Sequence, residues 1–196
     1  MRFPLQLTFK TIALAPQLSV RDAGGQLLFY VRQKAFKLKE SVTVFGDEAQ
    51  SRPLFHIGAD RILDFSARYR ITDAASGAEI GTVQRRGMRS IWRAHYEIER
   101  DGTTAMEVRE ENPWIRVLDG LMSDVPVLGW FTGYAFHPAY RLSDARSDAP
   151  RLRMKKEAAF FEGRYAIEAT GALGEDEQRL AVLSLVMIVL LERARG

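Results

Sequence analysis

The feature that most constrains this chain is its C-terminal segment GEDEQRLAVLSLVMIVLLERARG, in which Ser184 is the only polar residue from Leu180 to Leu191. Glu175, Asp176 and Glu177 precede the apolar run, and Arg193 and Arg195 follow it. Acids at the start and bases at the end complement a helix dipole, so the segment is predicted to be a helix. A helix that is apolar on every side must be surrounded, by lipid or by protein. Length discriminates between the two. The run of about twelve residues rises about 1.5 Å per residue and covers roughly 18 Å, whereas a hydrocarbon core of about 30 Å takes about 20 residues to cross. Burial inside protein is therefore expected, with no transmembrane segment.

The rest of the chain supplies elements that can enclose such a helix. Leu5, Leu7 and Phe9 alternate with Gln6 and Thr8, the pattern of a strand; the stretch lacks the basic region, apolar run and cleavage site of a secretory signal. A degenerate unit then recurs, two alternating segments around a turn rich in Asp, Gly, Ser and Ala. Leu18 and Val20 lead through Asp22–Gly25 to Leu27–Val31; Tyr69 and Ile71 lead through Asp73–Gly77 to Ile80 and Val83. In a third copy Trp92, Ala94, Tyr96 and Ile98 alternate with Arg93, His95, Glu97 and Glu99 before Asp101-Gly102, a strong two-residue hairpin signal. A last copy runs from Tyr140 and Leu142 to Leu152 and Met154, then Tyr165 and Ile167. Short antiparallel strands at even spacing point to a sandwich or barrel, and closure hides the edges. Between the third and last copies, Trp114, Val117, Leu118 and Leu121 follow Pro113 at helical spacing, which predicts a short helix and then an aromatic connection.

At 196 residues, with 46% hydrophobic and 27% charged residues, the chain is long enough and apolar enough for one self-standing domain over 1–196. It has no cysteine, which excludes disulfides, thiolate metal ligands and a cysteine nucleophile and suggests a cytoplasmic protein. A net charge of +3 is a mild bias that permits contact with anionic lipid or nucleic acid and demands neither, and no nucleic acid is expected.

The hairpins LSVRDAGGQLLFYVRQKAF and YRITDAASGAEIGTVQRR, the link VLDGLMSDVPVLGWFTGY and the tail LAVLSLVMIVLLERARG, in that order, resemble the LURP-one-related and phospholipid scramblase proteins, which share the tubby C-terminal-like fold. The resemblance implies a mainly β fold, a closed antiparallel barrel of about twelve strands around the apolar C-terminal helix, with a filled lumen. Its functions are diverse, from phosphoinositide binding to lipid movement between leaflets. The chain departs from the scramblase branch: it lacks the cysteine cluster, and Glu175-Asp176-Glu177 is too short for an acidic calcium loop.

No cofactor and no catalytic constellation is expected. His56, His95 and His137 are scattered, and neither a nucleophile elbow nor a P-loop nor a dinucleotide fingerprint occurs. Glu110-Glu111 would point to opposite faces of a strand and reads as a surface pair. The best site candidates are basic clusters suited to anionic head groups: Arg85, Arg86, Arg89 and Arg93; Lys34, Lys37 and Lys39, alternating with Phe36 and Leu38; and Lys155-Lys156. The small net charge favours the competing reading of a solvated face balanced by acids. Trp130, Phe131, Tyr134 and Phe136 suit a membrane interface or a cap on one end of the barrel, and the flanking prolines and glycines favour the cap. The functional expectation is a non-enzymatic module that binds anionic phospholipid or phosphoinositide head groups peripherally, with a protein-interaction or scaffold domain as the rival.

Overall fold

The computed structural model describes residues 1–10, 16–32, 41–60, 67–86, 95–111, 139–157, 159 and 162–193. Alternation of apolar and polar side chains is realised as twelve strands: β1 (Leu5–Lys10), β2 (Gln17–Arg21), β3 (Leu27–Arg32), β4 (Val42–Phe45), β5 (Pro53–Ala59), β6 (Arg68–Asp73), β7 (Glu79–Arg85), β8 (His95–Arg100), β9 (Thr103–Glu110), β10 (Ala139–Asp144), β11 (Pro150–Glu157) and β12 (Glu162–Ala169). Each strand pairs antiparallel with the next in sequence, and β1 pairs with β12 to close the barrel. The closing seam sets Leu5 opposite Ile167 and Leu7 opposite Tyr165. Every backbone ladder has a partner on both sides, so no edge is left to recruit another chain.

The C-terminal segment forms α1 (Glu175–Arg193), and every residue from Leu180 to Leu191 is buried. These side chains form one core with inward residues of all twelve strands, from Leu7 and Val20 to Met154 and Ile167. The helix is the core of the barrel, as its all-round apolar surface requires. Among the described residues no helix is long and apolar enough to cross a membrane. Ser184, the polar interruption, is fully buried, and its hydroxyl has no hydrogen-bond partner among the described residues.

Close passage of α1 dictates the residue at Gly81 on β7. Its φ of 154° is one that side-chain-bearing residues rarely adopt, and a Cβ there would meet the Glu99 carbonyl at 2.6 Å and Leu180 at 2.8 Å. Glycine lets the helix start lie against the sheet.

The tight turns follow a local rule in which an aspartate opens the turn and its carboxylate caps the next backbone amides. Asp73 Oδ1 accepts from the N–H of Ala75 at 3.1 Å and of Ser76 at 2.8 Å, and from Ser76 Oγ at 2.8 Å. Asp144 repeats this with Arg146, Ser147 and Ser147 Oγ at 3.1, 2.9 and 2.9 Å. Positive φ falls at Gly77 in the first turn and Asp148 in the second. Asp101-Gly102, with φ of 52° and 73°, makes the two-residue hairpin that its sequence predicts.

In β8, Tyr96 and Ile98 are fully buried while His95 and Glu97 face outward, the predicted register. Trp92, Arg93 and Ala94 lie outside the described residues, as do the predicted helix after Pro113, the aromatic link Trp130–Phe136 and His137. Two findings differ from the sequence reading. Strands β4 and β5 lie outside the recurring hairpin units that the sequence shows, and Glu110, expected at the surface, is 6% exposed. Its strand phase, shared with Met106 and Val108, turns the side chain inward. Glu111 behaves as expected, exposed and clamped by Arg153 Nε and Nη2 at 3.0 and 2.8 Å.

Candidate functional site

Antiparallel order sends alternate connections to opposite ends of the barrel. One end, the turn end, carries the reversals after β2, β4, β6, β8 and β10, and α1 enters there. Each of these reversals uses an aspartate: Asp22, Asp47, Asp73, Asp101 and Asp144. The other, the exit end, is where α1 finishes, and the strand ends there are Lys10 and Gln17, Arg32 and Val42, Ala59 and Arg68, Arg85 and His95, Glu110 and Ala139, and Glu157 and Glu162. The helix reaches it through Tyr96, whose hydroxyl donates to Glu192 Oε1 at 2.7 Å, and through Arg193, which lies 4.8 Å over the Phe9 ring.

Around the helix terminus the exit end presents inward-facing polar groups. Arg85 stands directly across from Tyr96, and Glu110 directly across from Tyr140. Burial pushes the Tyr96 hydroxyl far above its ordinary value; the Glu192 carboxylate and its hydrogen bond push the same way, and Arg85 opposes them. Tyr96 is therefore a permanent donor at neutral pH, suited to hold the last turn of α1 and not to shuttle protons.

The predicted basic residues separate. Arg85 belongs to the inward set. Arg86, one residue on, points outward and pairs with Glu97 at 2.9 Å. Lys155 is exposed, and half-buried Lys156 shares the inward phase of Leu152 and Met154. Lys34, Lys37, Lys39, Arg89 and Arg93 lie outside the described residues. The strand ends that flank them, Arg32 with Val42 and Arg86 with His95, are nevertheless all at the exit end.

Outer strand faces elsewhere carry paired charges. Arg141 reaches Asp148 at 2.9 Å, and Glu107 Oε2 accepts from Arg109 and lies 3.2 Å from His95 Nε2. Such exposed pairs contribute little stability, about 0 to 1 kcal/mol each, but they neutralise the bases they engage.

Sequence reasoning missed one feature. On the outer face of β4, β5 and β6, close to the exit end, a groove of about 220 Å³ is lined by Ser41, His56, Gly58, Asp60, Arg70 and Thr72. Thr43, His56 and Thr72 form one cross-strand row, and Gly58 stands opposite Arg70 in the next. His56 Nδ1 is 3.3 Å from Thr43 Oγ1, and its Nε2 has no hydrogen-bond partner among the described residues. Register alone brings these residues together, and no local motif announces them.

Comparison with known proteins now decides the family. The LURP-one-related family profile matches residues 27–124, half of the chain. The chain belongs to the LURP-one-related family. The match spans the sequence from β3 to beyond β9, including the groove strands and the connection that carries Lys34, Lys37 and Lys39. An X-ray structure of an Arabidopsis thaliana protein is similar to this LURP-one-related domain over 97% of this chain and 91% of that one, with a TM-score of 0.50 and 13% identity. That likeness concerns the fold alone. No curated protein matches the chain.

Proposed function

We propose that this LURP-one-related domain is a non-enzymatic binding module that engages anionic phospholipid head groups peripherally with the exit end of its barrel. One observation carries the reading: the described strand ends flanking Lys34, Lys37 and Lys39, those flanking Arg89 and Arg93, and the stretch Lys155-Lys156 all belong to the same end, opposite the aspartate turns. Basic stretches facing an anionic surface gain about 1 kcal/mol per nearby cation, and the aspartate turns are then directed away from it. The lumen is occupied by α1, which leaves ligand binding to the outside of the barrel.

Co-sedimentation with phosphatidylserine vesicles tests this. The wild type should pellet at low salt and be released as ionic strength rises, and Lys34→Glu/Lys37→Glu/Lys39→Glu should stay folded and remain in the supernatant. The rival, a protein-interaction domain, draws support from the Arg86–Glu97 pair, which already engages one predicted lipid-facing base. It predicts no sedimentation of the wild type at any salt concentration.

A further inference from the structure

The geometry points to the outer groove on β4, β5 and β6 as a binding site for a phosphate monoester, the head group of a lipid or a small soluble ester. It deepens the lipid-binding reading and rests on it only for the source of the phosphate. The groove exists because Gly58 places no side chain between its neighbours; a Cβ built there meets nothing within 4 Å. At about 220 Å³ it is smaller than the roughly 300 Å³ at which ordinary organic-ligand pockets begin, so it fits one compact polar group.

Its lining is rich in donors from three sides. Arg70 pairs with Glu79, its Nε 2.8 Å from the carboxylate, and its planar fork carries further N–H donors that suit an oxyanion. His56 offers Nε2–H in the tautomer whose Nδ1 accepts from the Thr43 hydroxyl. Ser41 supplies a hydroxyl from the residue preceding β4, and Thr72 one from β6, its own bond to the His56 carbonyl being long at 3.4 Å. Asp60 is the acid among the lining residues, and its Oδ1 already accepts the Arg68 backbone N–H at 3.0 Å. Donors from adjacent strands, about 4.8 Å apart, can surround a tetrahedral oxyanion, whereas a planar carboxylate would use two of them. Ser41 also follows the Lys34–Lys39 stretch by two residues, so the groove adjoins the end proposed to face the membrane.

The test uses Gly58→Val, which fills the groove without altering any charge and places a good strand former in β5, together with Arg70→Gln. Glycerol 3-phosphate is titrated while the His56 imidazole signals are followed by NMR, and vesicles containing phosphatidic acid are compared with phosphatidylserine vesicles of equal surface charge. The expected result is a saturable His56 shift in the wild type, weakened about tenfold or more in both variants. Preference for phosphatidic acid should be lost in Gly58→Val, while salt-sensitive sedimentation persists. A wild-type protein with no His56 shift and no vesicle preference, yet still sedimenting, would overturn the groove and leave the exit-end reading intact. A His56 shift that both variants retain would overturn it too. Saturable binding of glycerol 3-phosphate without any sedimentation would support the groove as a site for a soluble ester and remove the lipid reading.

Discussion

At the turn end of the barrel, the carboxylates of Asp73 and Asp144 each bond a serine three residues on, beside longer-range pairs such as Arg2–Asp22 and Arg21–Glu48. At the exit end the corresponding bond joins Tyr96 to Glu192, 96 residues apart. The Asp73 and Asp144 turns can thus form from local sequence, whereas the Tyr96–Glu192 bond depends on α1 having docked inside the barrel. The chemistry differs in the same direction. Aspartates dominate the turns, and the basic stretches adjoin the exit end.

The comparison breaks most readily at what both ends share, the helix between them. Val186→Asp would bury a charge with no partner, at a cost of about 3 to 5 kcal/mol, and urea denaturation should find the domain largely unfolded. Next is Gly81→Val, which forces a side chain into the Glu99 carbonyl and Leu180 where α1 enters; strain and overpacking together cost about 2 to 4 kcal/mol by thermal melting. At the exit end, Tyr96→Phe removes one hydrogen bond to a carboxylate and should cost less, about 1.5 to 3 kcal/mol. A Tyr96→Phe loss exceeding that of Gly81→Val would reverse the ranking of the two ends.

The smallest effect is acid sensitivity of the turns. The Ser147 backbone N–H and hydroxyl hold Asp144 down to about 2, and the same groups of Ser76 lower Asp73. A carboxylate with a folded value below its unfolded one, about 3.9, stabilises the fold above that unfolded value and loses the contribution as pH falls through the folded one. The thermal midpoint should therefore fall between about pH 4 and pH 2, and Asp144→Asn should flatten that decline. An unchanged profile in Asp144→Asn would show that the turn carboxylate does not set the acid limit.

Legibility from sequence followed the same division. Asp101-Gly102 and the Asp73 and Asp144 turns were readable because their bonds are local, and Leu180–Leu191 because twelve apolar residues in a row leave few solutions. Strands β4 and β5 were not. Val42 and Val44 make a four-residue strand too short to show a period, and the Gly46–Arg52 turn separates it from β5 without a two-residue signal. Glu110 has a readable phase, but a carboxylate at an inward position runs against ordinary burial preferences. The groove was invisible because Ser41, His56 and Arg70 are unremarkable singly and meet only through strand register.

Amide hydrogen exchange across α1, with and without anionic vesicles, tests the central claim most directly. A helix that forms the barrel core should hold the slowest-exchanging amides of the chain from Leu180 to Leu191, with the same protection when vesicles are added. Rapid exchange there in the free protein, slowed only by lipid, would mean that the helix is a membrane-seeking segment and would contradict the account.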